Sequence, residues 1–132
     1  MADIREAAAA GQTTNVTLTT TTEAVIISSP SIALPANMVR AIILAWAQLT
    51  TGTLTTTVTP RIRRGTLITD PLVGEANAEN VKAAAGQTEP FMILLVEDIT
   101  GFDRVEYSLT LQQAAATGNG TALQASILVL LQ

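Results

Sequence analysis

The stretch Arg40-Ala-Ile-Ile-Leu-Ala-Trp-Ala-Gln-Leu49 constrains the fold more than any other part of the chain. Successive side chains of an extended strand point to opposite faces. Val39, Ala41, Ile43, Ala45 and Ala47 therefore share one face, and Ile42, Leu44 and Trp46 share the other. Neither face is polar. Antiparallel sheets commonly keep one face in water, so a strand that is apolar on both sides needs two covers. Residues 54–63 contrast with it. Leu54, Thr56, Val58, Pro60 and Ile62 make an apolar face, while Thr55, Thr57, Thr59, Arg61 and Arg63 make a polar one. Phe91 to Val96 is again apolar on both faces.

Period-2 alternation recurs along the chain, and long helical periodicity is nearly absent. TNVTLTT (14–20), EAVIIS (23–28) and a short extended SIAL between Pro30 and Pro35 precede the double-sided strand. Thr51-Gly52 reads as a hairpin turn after it. Pro60 has no N–H for a ladder, which places the 54–63 strand near an edge or at a bulge. Residues 75–87 read either as a short strand or as a loop with a helical turn. In 104–113, Val105, Tyr107, Leu109 and Leu111 point inward, with Arg104, Glu106, Ser108, Thr110 and Gln112 outward. Gly118-Asn-Gly120 is a strong turn signal before a last Leu- and Val-rich strand, 122–131. About eight strands separated by turns predict an all-β antiparallel sandwich. A jelly roll fits the count best and an immunoglobulin-like sandwich is its neighbour. Alternation leaves the connections open.

Composition narrows the function. The 132 residues form one domain, long enough to bury a core without staples, and they contain neither Cys nor His. That removes disulfides, thiolate chemistry, the commonest general base and the commonest transition-metal ligand. Net charge is −4, with seven basic residues of which only Lys82 is lysine, which disfavours nucleic acid and anionic lipid as partners. Charged residues are only 14% of the chain and hydrophobic ones 48%, against about a quarter charged in ordinary soluble domains. No apolar run approaches the ~18 residues of a membrane helix. A lone monomer of this balance exposes much apolar surface, so a second copy of the chain is the economical cover. Ile42, Leu44, Trp46, Met92 and Leu94 are the candidate interface residues, Trp46 being read either as core packing or as an intersubunit anchor.

Other candidates are few. Arg61, Arg63 and Arg64 form the one basic cluster, read as an anchor for acidic groups of a partner or as charge guarding an exposed strand edge. Glu97, Asp98 and Asp103 surround a Gly turn, but calcium-loop spacing is absent and a solvated hairpin is the ordinary reading. Their use as a glycosidase pair lacks the aromatics that would stack a sugar. No nucleophile has a base at motif spacing and no Gly-rich phosphate loop appears. The expectation is no enzyme, no metal, no cofactor and no small-molecule substrate. Residues 1–13 read as an Ala-rich arm, docked on a neighbour or forming a helix too short to stand alone, ahead of a 14–132 domain. MADIREAAAAG does not read as a signal peptide. The Asn15-Val-Thr17 and Asn119-Gly-Thr121 sequons read as accidental.

The blocks ILAWAQLTTGTLTTTVTPRIRRGT, VKAAAGQTEP and VEYSLTLQQAAATGNGTALQASI, with the closing LVLL, resemble a family of small tailed-phage virion proteins. The similarity covers roughly residues 38–131. The resemblance implies a jelly roll of the tumour-necrosis-factor type, commonly trimeric, found in head decoration proteins and at fibre tips. It brings no catalytic residues. It implies a homotrimer on the outer surface of a phage head, made in the host cytoplasm, binding the major capsid protein. Arg61, Arg63 and Arg64 are the docking candidates. A fibre-tip or host-recognition module is the alternative, which short loops and few aromatics make the weaker fit.

Overall fold

The computed structural model describes residues 6–11, 15–35, 37–52, 54–76, 81–116 and 119–132, and every regular element among them is a strand. In chain order these are β1 (Glu6–Gly11), β2 (Val16–Thr17), β3 (Ala24–Ser28), β4 (Ile32–Ala33), β5 (Arg40–Thr50) and β6 (Thr56–Arg64). They continue with β7 (Leu72–Glu75), β8 (Val81–Ala83), β9 (Thr88–Asp98), β10 (Arg104–Val105), β11 (Tyr107–Gln113) and β12 (Thr121–Leu131). Sheet I runs β1-β12-β5-β9 with β2 also on β12; sheet II runs β3-β11-β6-β7 with β8 also on β6. A short β4–β10 pair clips one end.

Numbering only the eight strands of the two main paths, sheet I reads 1-8-3-6 and sheet II reads 2-7-4-5. That winding is a jelly roll. All pairings are antiparallel. The expected all-β sandwich is therefore the fold, and the immunoglobulin-like neighbour is not. The core lies between the sheets and is built by the alternation. Ala41, Ile43, Ala45, Ala47 and Leu49 of β5, Val58 and Ile62 of β6, Tyr107, Leu109 and Leu111 of β11, and Val129 and Leu131 of β12 are fully buried.

Four local expectations change. Glu6–Gly11 is not an arm outside the fold: it is the first strand of sheet I, paired along its whole length with β12 from Glu6↔Leu131 to Gly11↔Ser126. Ala8 and Ala10 pack on the core, so β-pairing supplies the partners that a four-alanine run cannot find as an isolated helix. Thr51-Gly52 is not a hairpin turn either. β5 and β6 belong to different sheets, and the chain crosses the sandwich there. Of 14–20, Thr14 lies outside the described residues, and among 15–20 only Val16–Thr17 is strand. Finally, β6 is an interior strand. Pro60 is accommodated because its outer neighbour changes from β8, opposite Thr56–Val58, to β7, opposite Arg61–Arg63. The Pro60 carbonyl accepts from Ala76 N on that side (3.0 Å). The proline, which has no N–H to donate, stands where the outer partner changes.

Removing residues 1–11 is expected to lower the melting temperature of the isolated subunit, by an amount equivalent to about 2 kcal/mol, because β12 loses its ladder with β1 and the core loses two partly buried methyl groups, those of Ala8 and Ala10. A thermal melt of the truncated chain checks this. A docked arm would leave the subunit's melt unchanged.

Candidate functional site

The outward side chains of sheet I form rows across all four strands. Gly11, Ser126, Trp46 and Met92 make one row; Ala9, Leu128, Leu44 and Leu94 the next; Ala7, Leu130, Ile42 and Val96 the third. No charged residue stands in any of them. The even positions of β5 point out because its odd positions fill the core. Met92, Leu94 and Val96 on β9 are 65%, 60% and 57% exposed. Ile42, Leu44, Trp46, Leu128 and Leu130 are half-buried. All five candidate interface residues thus lie on one surface, and Trp46 belongs to it rather than to the core. A groove of about 420 Å³ runs between Trp46, Leu44 and Leu128 over Ala9, Gly11 and Ser126. On this face of β5 and β9 charge begins only at one end, at Arg40↔Asp98; the other end carries the uncharged pairs Gln48↔Pro90 and Thr50↔Thr88.

The outer face of sheet II has the opposite chemistry. Glu23, immediately before β3, accepts from both Nε and Nη2 of Arg63 (2.5 and 2.8 Å) and from Arg61 Nη1 (3.1 Å). Arg61 also donates to Glu75 Oε2 (2.8 Å) and Gln112 Oε1 (2.7 Å), and Arg63 Nη1 to the Asp70 carbonyl (2.9 Å). The hydrogen bond from Arg63 is the main reason why the Glu23 carboxyl is held below its ordinary value. The same contact stabilises the charged Arg63. Ser108 and Thr110 point outward on β11 as expected, yet both are fully buried. Ser108 Oγ is hydrogen-bonded to Ser28 Oγ (2.7 Å) and to the Gly65 carbonyl (2.5 Å), so a polar layer covers this part of β11. Gly65 adopts φ +133°, and a Cβ there would meet the Asp70 carboxylate at 2.0 Å.

Arg64 turns toward the other sheet. Its Nε and Nη2 donate to Glu97 Oε1 (3.0 and 2.5 Å), and its guanidinium lies 4.6 Å from the centroid of the Phe102 ring. Tyr107 Oη, from the buried face of β11, donates to Glu97 Oε2 (2.6 Å), which ties the two sheets together. Burial, then the neighbouring Glu97 carboxylate, push the Tyr107 phenol well above its ordinary range. The three basic-cluster arginines are therefore all engaged with carboxylates of their own chain. The edge-guarding reading fails, because β6 has partners on both sides.

The three carboxylates of the 97–103 turn are dispersed. Glu97 serves Arg64 and Tyr107. Asp98 Oδ1 accepts from Thr100 N (2.9 Å), which lowers its carboxyl's pKa and shapes the turn. Asp103 presents its backbone carbonyl to Leu34 N (2.9 Å). Among the described residues no three His, Cys, Asp or Glu side chains are grouped to hold a metal ion, and no helix is long and apolar enough to cross a membrane.

No family model matches the sequence, and no curated protein does. Solved structures do match. A chain from the crystal structure of the T13 particle of infectious bursal disease virus superposes with a TM-score of 0.65 at 10% identity, over 96% of this chain and 31% of that one. A second, from the Gx strain of the same virus, gives 0.52 at 12% identity, over 92% of this chain and 32% of that one. The likeness is one of fold. The present chain spans about a third of the length of the chains that it matches.

Two parts of this geometry were not singled out by sequence reasoning. Glu23 sits alone before a strand, and its role depends on β3 and β6 both flanking β11. The only sequence signal was a lone carboxylate among few charges. The Tyr107–Glu97 tie joins different sheets, and nothing in the alternation signals it.

Proposed function

We propose that the chain is a structural protein of a virus particle. It is a phage capsid decoration protein that self-associates, as a trimer, through the outer face of sheet I and sits on the outside of the head. The observation that carries this reading is the uncharged apolar face spanning β1, β12, β5 and β9. Water contact at three neighbouring large side chains, Met92, Leu94 and Val96, costs on the order of 1 kcal/mol each relative to burial. Such a patch marks an association surface. The fold shared with chains of a viral particle and the block resemblance to phage virion proteins both support a role in a shell. With sheet I covered by copies, the polar face of sheet II, braced by Glu23, Arg61 and Arg63, is left for the major capsid protein. Arg64 stands at its margin. No catalytic step is assigned to any residue.

Native mass spectrometry at micromolar concentration, together with copy counting in purified virions, tests the proposal. The expected results are a discrete oligomer and hundreds of copies per particle. A handful of copies at a tail tip would replace this reading with the host-recognition one, and absence from virions would end both.

A further inference from the structure

The outer face of sheet I has relief as well as polarity. Its β9 side is a ridge, where Met92, Leu94 and Val96 project with more than half of their surface free. Its β1 side is a hollow. Ala7, Ala9 and Gly11 carry a methyl group or no side chain, and Ser126 beside Gly11 adds only a hydroxyl. The groove bounded by Trp46, Leu44 and Leu128 lies over this low side. Ridge and hollow occupy the same three rows, each formed by three alternate residues, so they match in length. Both are apolar and uncharged, and neither buries its surface within the subunit. Close packing requires a projecting aliphatic edge to meet a recess, because facing ridges would hold two sheets apart and leave voids along the hollows.

We infer that the β9 ridge of one copy seats in the β1–β12 hollow of another copy. The contact joins unlike halves of the same face. This rests on the proposal that the face is a self-association surface, and it adds which part meets which. Applied around a ring, each copy offers its ridge to one neighbour and its hollow to the other, and a trimer closes with every ridge and hollow filled. A second copy is the occupant because the complement of each feature stands on the same surface. A partner recognised through charge would find none in these rows.

The chain contains no cysteine, which makes the test direct. Leu94→Cys and Ala9→Cys place single thiols at the middle of the ridge and of the hollow, both on exposed positions. Each variant alone, their mixture, and the double variant are treated with a short thiol-to-thiol crosslinker, and folding is checked by circular dichroism. The expected result is a covalent dimer in the mixture, little in either single variant, and a covalent trimer in the double variant. Ala9→Trp, which fills the hollow, is expected to weaken association at least tenfold. Crosslinking of Leu94→Cys to itself, or an oligomer with no ridge-to-hollow product, would overturn the inference and leave the self-association surface standing. A wild-type chain that stays monomeric by native mass spectrometry would overturn both.

Discussion

Leu94→Asp is expected to leave the subunit folded and abolish its assembly. Leu94 is 60% exposed on β9, at the rim of sheet I, where a charge is well tolerated in the free subunit and even discourages aberrant strand pairing. In the assembly the same carboxylate would lie among Leu, Met and Val side chains with no cation in its row. Desolvating it costs several kcal/mol, and the buried leucine contributes about another 1 kcal/mol that is lost. A penalty of at least ~3 kcal/mol per contact corresponds to more than a hundredfold in each association constant. The effect multiplies when several identical contacts close a ring. Sedimentation should show monomer where the wild type shows oligomer, with the circular dichroism spectrum unchanged. An assembly of wild-type mass would show that this face is not the interface.

The second large effect belongs to the subunit itself. Glu23→Ala should destabilise the isolated fold by about 2–4 kcal/mol, because a partly buried pair loses its acid while its bases stay in place. The Glu23 side chain is 9% exposed, and those of Arg61 and Arg63 are 18% and 16% exposed. Among the described residues Arg61 keeps Glu75 and Gln112, but Arg63 keeps only the Asp70 carbonyl. For a domain of this size the melting temperature should fall by about 10 °C. Acid should act on the same group. The folded-state pKa of Glu23 lies below its ordinary value near 4.5. Its stabilising contribution is therefore complete above that ordinary value and is lost as pH falls through the lowered one. Glu23→Ala should flatten this part of the acid limb in a pH series of melts. An unchanged melting temperature at neutral pH would show that the network is incidental. Reversal of Arg61 and Arg63 to Glu confronts Glu23 and Glu75 with like charge, so those substitutions probe the fold before they probe docking.

Two consecutive stretches illustrate how far a linear reading reaches. The alternation in 40–50 matches β5 residue for residue, and that in 56–62 places Thr56, Val58 and Ile62 in the core as expected. Strand existence and facing are local properties, dictated by the two-residue repeat of side-chain direction. Whether 40–50 and 54–63 pair with one another is not local. A turn signal such as Thr51-Gly52 serves a crossing between sheets as well as a hairpin. In the fold β12 and β9 flank β5, and β11 lies beside β6.

The same division holds for the surface. The sequence alone determined that this chain is a β-sandwich without Cys or His chemistry, and that two of its strands carry more apolar surface than one core can cover. Each of those properties follows from residue type and period. Only the tertiary structure decided that Met92, Leu94 and Val96 stand in the same rows as Ile42, Leu44 and Trp46. It also drew the alanines of the N-terminal segment into that sheet as the low side of the face. And it closed Arg61, Arg63 and Arg64 onto Glu23, Glu75 and Glu97. Those partners are 14 to 40 residues away along the chain (Arg61 to Glu75 being 14 and Arg63 to Glu23 being 40), and a charge's partner is set by distance in space, which sequence separation does not encode.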